Sequence, residues 1–200
     1  MGKKETKSGK DKNNAEKTEK KLRKLYDEIA DARKKYIKVL SKMAALDVED
    51  YNLKATDGTN TRLSEMFGDK DNLIVIHNMG KSCPYCTLWA DGFSGVNYFI
   101  EKKAAFVLVS PDAPEVQKEF AESRGWKFRT YSAAGSSFVK DMGFLTEKND
   151  YWPGVSVFHK DAAGKLKRVS KDIFGPGDFY SSPFHLFDLL PQNGKKEAKV

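Results

Sequence analysis

The stretch HNMGKSCPYCTLW, His77 to Trp89, holds both cysteines of a 200-residue chain, with two residues between them. A pair at this spacing can bind a metal, sit inert in a core, or exchange electrons. Exchange requires a thiolate, because the anion is the attacking species. A helix N-terminus favours that anion through its unpaired N–H groups and its dipole. Pro84 suits the first turn of a helix, where its missing N–H costs nothing. The sequence therefore places Cys83 at a helix start and Cys86 one turn further on. Cys83 is expected to be the nucleophile and the more exposed thiol, and Cys86 the resolving thiol. Lys81 adds positive charge nearby, and Ser82 and Tyr85 are the expected substrate contacts on this segment. The metal reading is poorer. A closed zinc site needs four ligands; the pair supplies two, His77 a third if the loop curls back, and His159 and His185 stand alone.

The elements that must position the pair are legible on both sides of it. NLIVIHN, residues 72–78, is a continuous apolar run, as in a strand covered on both faces. The cysteines follow at its end, and helical text then runs towards Lys103, with Gly92 and Gly95 expected to break it into two pieces. AAFVLVS, residues 104–110, reads as a second buried strand. Asp112 is the expected N-cap of the next helix, which stops at Gly125, and a strand follows at 127–131. Upstream, residues from Tyr51 read as a short strand, a turn at Asp57-Gly58 and a helical turn through Phe67. Downstream, PGVSVFHKDAAGKLKRVS reads as two alternating segments joined by a hairpin turn, and SPFHLFDLLP as a short helix ended by proline. Residues 132–145 read as a mobile connection, and 174–180 as a turn and candidate lid.

Residues Leu22, Leu25, Ile29, Ala32, Tyr36, Val39, Met43 and Leu46 alternate spacings of three and four, a heptad seam of about four repeats. This long helix either packs along its own domain or pairs with a second copy of the chain. The expected layout is a Lys-rich disordered tail at 1–18, the amphipathic helix at 19–47, one globular domain at 48–191 and a C-terminal tail at 192–200. The formal charge of +7 is concentrated at the start: residues 1–24 carry ten Lys/Arg against four Asp/Glu, and the remainder is nearly neutral. A basic tail of this kind is a solvated extension, so no specific nucleic-acid partner is expected. No apolar run approaches the roughly 20 residues needed to span a bilayer, and the first residues lack the apolar core of a signal peptide. The expected setting is cytoplasmic, with no membrane partner. A close cysteine pair there is redox-active or metal-bound rather than a permanent disulfide.

The order β-α-β-α, then a β-hairpin and a helix, with the dithiol at the first strand-to-helix junction, is the thioredoxin arrangement. The expected class is thus α/β, a central sheet flanked by helices, preceded by a long N-terminal helix. The lead-in TDGTNTRLSEMFGDKDNLIVIHNM, the CPYCTLWADGF segment, FVLVSPDAPEVQKEFAESRGWKFR, WPGVSVFHKD and FHLFDLLP together resemble an uncharacterised, mainly bacterial thioredoxin-like family. That family is a domain of unknown function distantly related to peroxiredoxins and thioredoxins. The resemblance covers roughly residues 22–191. It implies that Trp152 and Pro153 form a cis-proline loop that faces the dithiol and holds extended substrate. CPYC is also the tetrapeptide of dithiol glutaredoxins, but Tyr151-Trp152-Pro153 stands where their glutathione-holding Thr-Val-Pro would be. Peroxiredoxins place Thr or Ser three residues before the reactive cysteine and Pro seven before; for Cys83 those positions are Gly80 and Ile76.

These readings imply a thiol–disulfide oxidoreductase with no bound cofactor, drawing electrons from an external reductant such as thioredoxin or glutathione. Its partner would be a protein or small-molecule disulfide. Two alternatives stay open. One is a thiol peroxidase, in which Cys86 captures a sulfenic acid formed at Cys83. The other is a non-catalytic interaction protein working through the 22–46 helix, which would form a homodimer.

Overall fold

A computed structural model describes residues 5–191, with side chains from residue 11. The chain forms two units, residues 1–43 and 44–200. The first is a single helix, α1 (Glu5–Leu40). It starts within the segment expected to be a disordered tail, and it ends short of the expected residue 47. The early start has a local reason: no proline interrupts the segment, and Lys7, Lys10, Lys12, Ala15, Glu16 and Lys17 are good helix formers set against Gly9, Asn13 and Asn14. Exposed pairs such as Lys24–Glu28 (3.7 Å) add a few tenths of a kcal/mol. At the other end, the Ser41 hydroxyl donates to the Lys38 carbonyl at 3.0 Å. The chain then extends into β1 (Leu46–Asp47), which pairs with a later strand. Leu46 thereby leaves the heptad seam, and Met43 lies beyond the end of the helix.

The second unit is built on one eight-stranded sheet. Its strands are β1, β2 (Asn52–Ala55), β3 (Asn60–Arg62), β4 (Asn72–His77), β5 (Ala105–Ser110), β6 (Arg129–Ser132), β7 (Gly154–Lys160) and β8 (Leu166–Ile173). The order across the sheet is β1-β8-β7-β4-β5-β6-β2-β3. β4, β5 and β6 run parallel, and every other neighbouring pair is antiparallel. The helices are α2 (Pro84–Glu101), α3 (Pro114–Arg124), α4 (Phe138–Asp141) and α5 (Ser182–Phe187), with a 3₁₀ turn at Leu63–Glu65. This is the α/β, thioredoxin-like architecture that the element order predicts.

Strand alternation divides the core between the two faces of the sheet. Leu73 and Val75 of β4, with Val107 and Val109 of β5, join a cluster containing Leu53, Phe67, Phe138, Phe144 and Phe158. Ile76, Phe106 and Leu108 join the opposite cluster, which contains both cysteines, Trp89, Phe174 and Phe184. Fully burying one such side chain contributes roughly 1.5–3 kcal/mol, so both faces favour the same register.

Several local expectations change. α2 runs unbroken through Gly92 and Gly95, because burial of Trp89, Ala90 and Asn97 along one face outweighs two glycines at about 1 kcal/mol each. The N-cap of α3 is Ala113, not Asp112. The strand expected at 127–131 lies at 129–132. Residues 132–145 contain α4 and six buried residues, Ser132, Ala133, Phe138, Val139, Met142 and Phe144, so this segment is core rather than a mobile connection. A short β3 also completes a hairpin with β2 before the 3₁₀ turn.

Candidate dithiol site

The site grows out of the end of β4. Asn78 continues the strand pairing by donating its N–H to the Val109 carbonyl (2.9 Å), and its side-chain oxygen accepts from Gly80 N–H (2.7 Å). The chain reverses at Gly80, whose φ of +106° suits glycine alone. The Cys83 N–H closes that turn onto the Gly80 carbonyl at 3.1 Å. Cys83 is the N-cap of α2, and its carbonyl accepts both the Thr87 N–H and the Thr87 hydroxyl, each at 3.1 Å. Pro84 occupies the first helical position.

Both thiols are free. Cys83 Sγ accepts the Cys86 N–H at 3.1 Å, as a cap should, and Cys86 Sγ accepts the Met79 N–H at 3.5 Å. The Cys86 thiol donates to the Cys83 sulfur, and this bond is the main reason the Cys83 pKa is held down to about 7. Burial opposes the shift, while the Cys86 and Tyr85 N–H groups assist it. The same bond, seen from its donor, pushes the Cys86 pKa up, and burial pushes it further. One sulfur is thus set up as a thiolate at neutral pH and the other as its proton-bearing neighbour. Cys83 is the more accessible, yet only 9% exposed against 3% for Cys86. The open nucleophile expected from the sequence is instead nearly covered.

Both cysteines belong to a cluster rich in aromatic residues. Phe184 of α5 stacks on Tyr85 at 6.1 Å and meets the edge of Trp89 at 6.1 Å; Phe174 lies 5.3 Å from Trp89 and 4.7 Å from Tyr180. Tyr85 is half-buried in this cluster, Ser82 is exposed, and Trp89 is core. The segment 174–180 is therefore a packed turn beside the site. Trp152 is exposed, and Pro153 lies at the start of β7, where Gly154 pairs with His77 at the end of β4. Trp152 and Pro153 thus sit at the neighbouring strand end. No peptide bond among the described residues is cis, so the expected cis-proline loop is absent. Its backbone is also engaged: Trp152 N–H donates to the Phe144 carbonyl (2.8 Å), and the Pro153 carbonyl accepts from Phe174 N–H (2.9 Å).

His77 cannot serve the pair as ligand or base. It points to the opposite face, stacked on Phe144 at 3.9 Å between ring centroids, with Nε2 2.9 Å from Ser156 Oγ. Burial, followed by the charges of Arg168 and Lys171, pushes its pKa down to about 3. No cluster of three or more metal-ligating side chains occurs among the described residues.

One contributor was missed from the sequence. Asp112, freed from capping α3, turns back and accepts the Lys81 N–H at 2.8 Å, two residues before Cys83. It also accepts the Ser110 hydroxyl at 3.1 Å, and Ser110 Oγ in turn accepts from Gln117 Nε2 at 2.7 Å. The dithiol loop is therefore tied to the neighbouring strand. The signal available was Ser-Pro-Asp directly after a buried strand, in line with the equivalent end of β4.

Residues 5–199 match the model of a family described as "Bacterial protein of unknown function (DUF899)". No curated protein matches the chain. Among solved structures, the chain is similar to peroxidoxin BcpB from Mycobacterium tuberculosis, with 23% identity, a TM-score of 0.53, and coverage of 72% of this chain and 91% of that one. It is similar to a cysteine-to-serine mutant of peroxiredoxin Q from Xanthomonas campestris, with 18% identity, a TM-score of 0.54, and coverage of 69% and 87%. Reduced Prx3 from Vibrio vulnificus, in complex with H2O2, gives 14% identity, a TM-score of 0.57, and coverage of 74% and 99%. At these identities the likeness concerns the fold.

Proposed function

The chain belongs to this bacterial family of unknown function, and from that premise we propose that it is a dithiol redox protein, a thiol–disulfide oxidoreductase working through Cys83 and Cys86. The Cys83 thiolate attacks one sulfur of a substrate disulfide, forming a mixed disulfide and releasing the other sulfur as a thiolate that takes a proton. Cys86 then loses its proton and attacks Cys83 Sγ. The substrate leaves as its second thiol, two electrons richer, and the pair is left as a disulfide. An external thiol reductant, such as thioredoxin or glutathione, restores the dithiol. The observation that carries this reading is the polarised pair itself, with Cys83 held near neutrality by a hydrogen bond from the thiol that must next attack it. Cys86→Ala should stop the cycle at the mixed disulfide. Incubation with an excess of oxidised glutathione should add one glutathionyl group, mapped to Cys83. Modification at Cys86 in the Cys83→Ala protein alone would reverse the assignment.

A second reading, thiol peroxidase, has its own support. The fold is shared with peroxiredoxins, and a sulfur only 9% exposed suits a small oxidant better than a bulky disulfide. A hydroperoxide would transfer one oxygen to the Cys83 thiolate, giving an alcohol and a sulfenic acid; attack by Cys86 would expel water and close the same disulfide. Against it, Gly80 and Ile76 stand where peroxiredoxins carry Thr or Ser and Pro. Stopped-flow oxidation by hydrogen peroxide separates the readings. Saturating, rapid loss of both thiols favours the peroxidase, and slow second-order oxidation at the rate of free cysteine favours disulfide exchange.

A further inference from the structure

We propose that α2 packs against α2 of a second copy in an antiparallel pair about a two-fold axis, so that the chain assembles as a homodimer through its dithiol helix. One face of α2 lies in the core, and the outer face carries almost none of the charge usual on a solvent-facing helix. Among residues 84–100 the only charged side chain is Asp91, and Arg124 pairs with it. The outer face instead presents Leu88, Gly92, Gly95 and Phe99, which fall within about 60° of one another around the helix. Leu88 is half-buried, whereas Val96 beside this row is 47% exposed and Phe99 67%. The Tyr98 ring meets Phe99 edge to face at 5.4 Å, and Lys102 Nζ lies 4.3 Å over the Tyr98 ring. The two rings are therefore held in place before a partner arrives, which lowers the ordering cost of binding.

The glycines, the order of side-chain sizes and the charge identify the occupant. Glycine inside a helix is unfavourable relative to alanine. Neither Gly92 nor Gly95 takes a positive φ, and a Cβ at either would meet nothing within 4 Å of its own chain. Nothing within the chain calls for them, but a missing Cβ lets another backbone come closer than the usual ~8–10 Å between helix axes. Leu88, Gly92, Gly95 and Phe99 read large, small, small, large at spacings of four, three and four, an order that is its own reverse. An antiparallel two-fold therefore sets Gly92 against Gly95 of the second copy and Leu88 against Phe99. Every contact is made twice, as an isologous interface demands. A parallel pair would set Phe99 against Phe99 and Leu88 against Leu88, and would lay the two helix dipoles side by side in the same sense. Charge points to a second copy as well. Two such faces bring no like charges together, and neither holds a row of ions for an oppositely charged protein or membrane. The antiparallel pair leaves the two Cys83 residues roughly 30 Å apart along the axis, so the dithiol chemistry stays within each chain.

The test is sedimentation equilibrium on the full chain at concentrations up to about 100 µM. A reversible dimer is expected. Gly95→Leu and Phe99→Glu should each raise its dissociation constant by at least about tenfold, while leaving the thiol titration unchanged. Leucine favours a helix more than glycine does, so Gly95→Leu should not lower the melting temperature of the dilute protein. A monomer throughout the range would overturn the proposal. So would a dimer indifferent to both substitutions, as one made through α1 would be. Direction is read by mild oxidation and peptide mapping in chains that also carry Cys83→Ser and Cys86→Ser. Leu88→Cys chains mixed with Phe99→Cys chains should give an 88-to-99 cross-link between copies. A preference for 88-to-88 or 99-to-99 links would overturn the antiparallel arrangement.

Discussion

Replacing Cys86 with alanine removes the donor that does most to hold the Cys83 pKa near 7. The total lowering, from an ordinary 9.0 to about 7, corresponds to about 2.7 kcal/mol favouring the thiolate. A hydrogen bond to a charged group contributes about 1.5–3 kcal/mol, so its loss should move the midpoint up by roughly one to two pH units. The thiolate share at pH 7 would fall from about one half to a tenth or less. Alkylation rates blur this change, because intrinsic nucleophilicity rises as the pKa rises. The ultraviolet absorbance of the thiolate counts anions directly and needs no access to a covered sulfur. The reduced protein should show one thiolate step near pH 7. Cys83→Ala should abolish it, and Cys86→Ala should shift it upward. An unchanged step in Cys86→Ala, or a neutral-pH step that survives in Cys83→Ala, would refute the reasoning.

His77 is kept neutral by burial, with a pKa near 3 against an ordinary 6.5. Between those values the unfolded chain binds a proton that the folded chain does not, so stability falls as pH drops, by up to about 1.4 kcal/mol per unit. His77→Gln should flatten the melting temperature against pH between 6 and 4, even if its neutral-pH stability is lower. Gly92→Ala should stabilise α2 by about 0.5–1 kcal/mol in urea unfolding, since a Cβ there meets nothing within 4 Å. Gly154→Ala should cost roughly 2–3 kcal/mol in the same assay, because its Cβ would collide with the Asp172 carbonyl oxygen and the Phe144 ring. Asp112→Ala removes the acceptor of the Lys81 N–H; hydrogen exchange at that amide should speed up by about tenfold, while Asp112→Asn should retain most of the protection.

What the sequence made legible was whatever depends on neighbouring residues. NLIVIH and AFVLVS are apolar enough to be buried on both faces, so β4 and β5 could be read directly. The CPYC spacing, with Pro84 in the first turn, placed Cys83 at the head of α2. Features that depend on distant partners were harder to read. Asp112 has the pattern of a helix cap, but it binds a loop 31 residues away. The Gly92 and Gly95 positions look like breaks until the buried side of α2 is known. Trp152-Pro153 has the local pattern of the thioredoxin proline loop, yet hydrogen bonds to Phe144 and Phe174 fix its backbone in another way. His77 looked available because it precedes the cysteines, but strand alternation turns it to the other face. Cys83 is buried in one cluster with Phe174 and Phe184, far downstream in the chain, which no local pattern reports.

The central claim is that Cys83 and Cys86 form a reversible redox couple. The most direct test equilibrates the protein against graded ratios of reduced and oxidised glutathione and reads free thiols by mass spectrometry after acid quenching. The account predicts a two-electron transition between the dithiol and an intramolecular Cys83–Cys86 disulfide, reached from either side. A pair that stays reduced across the whole series, or that closes only between chains, would contradict it.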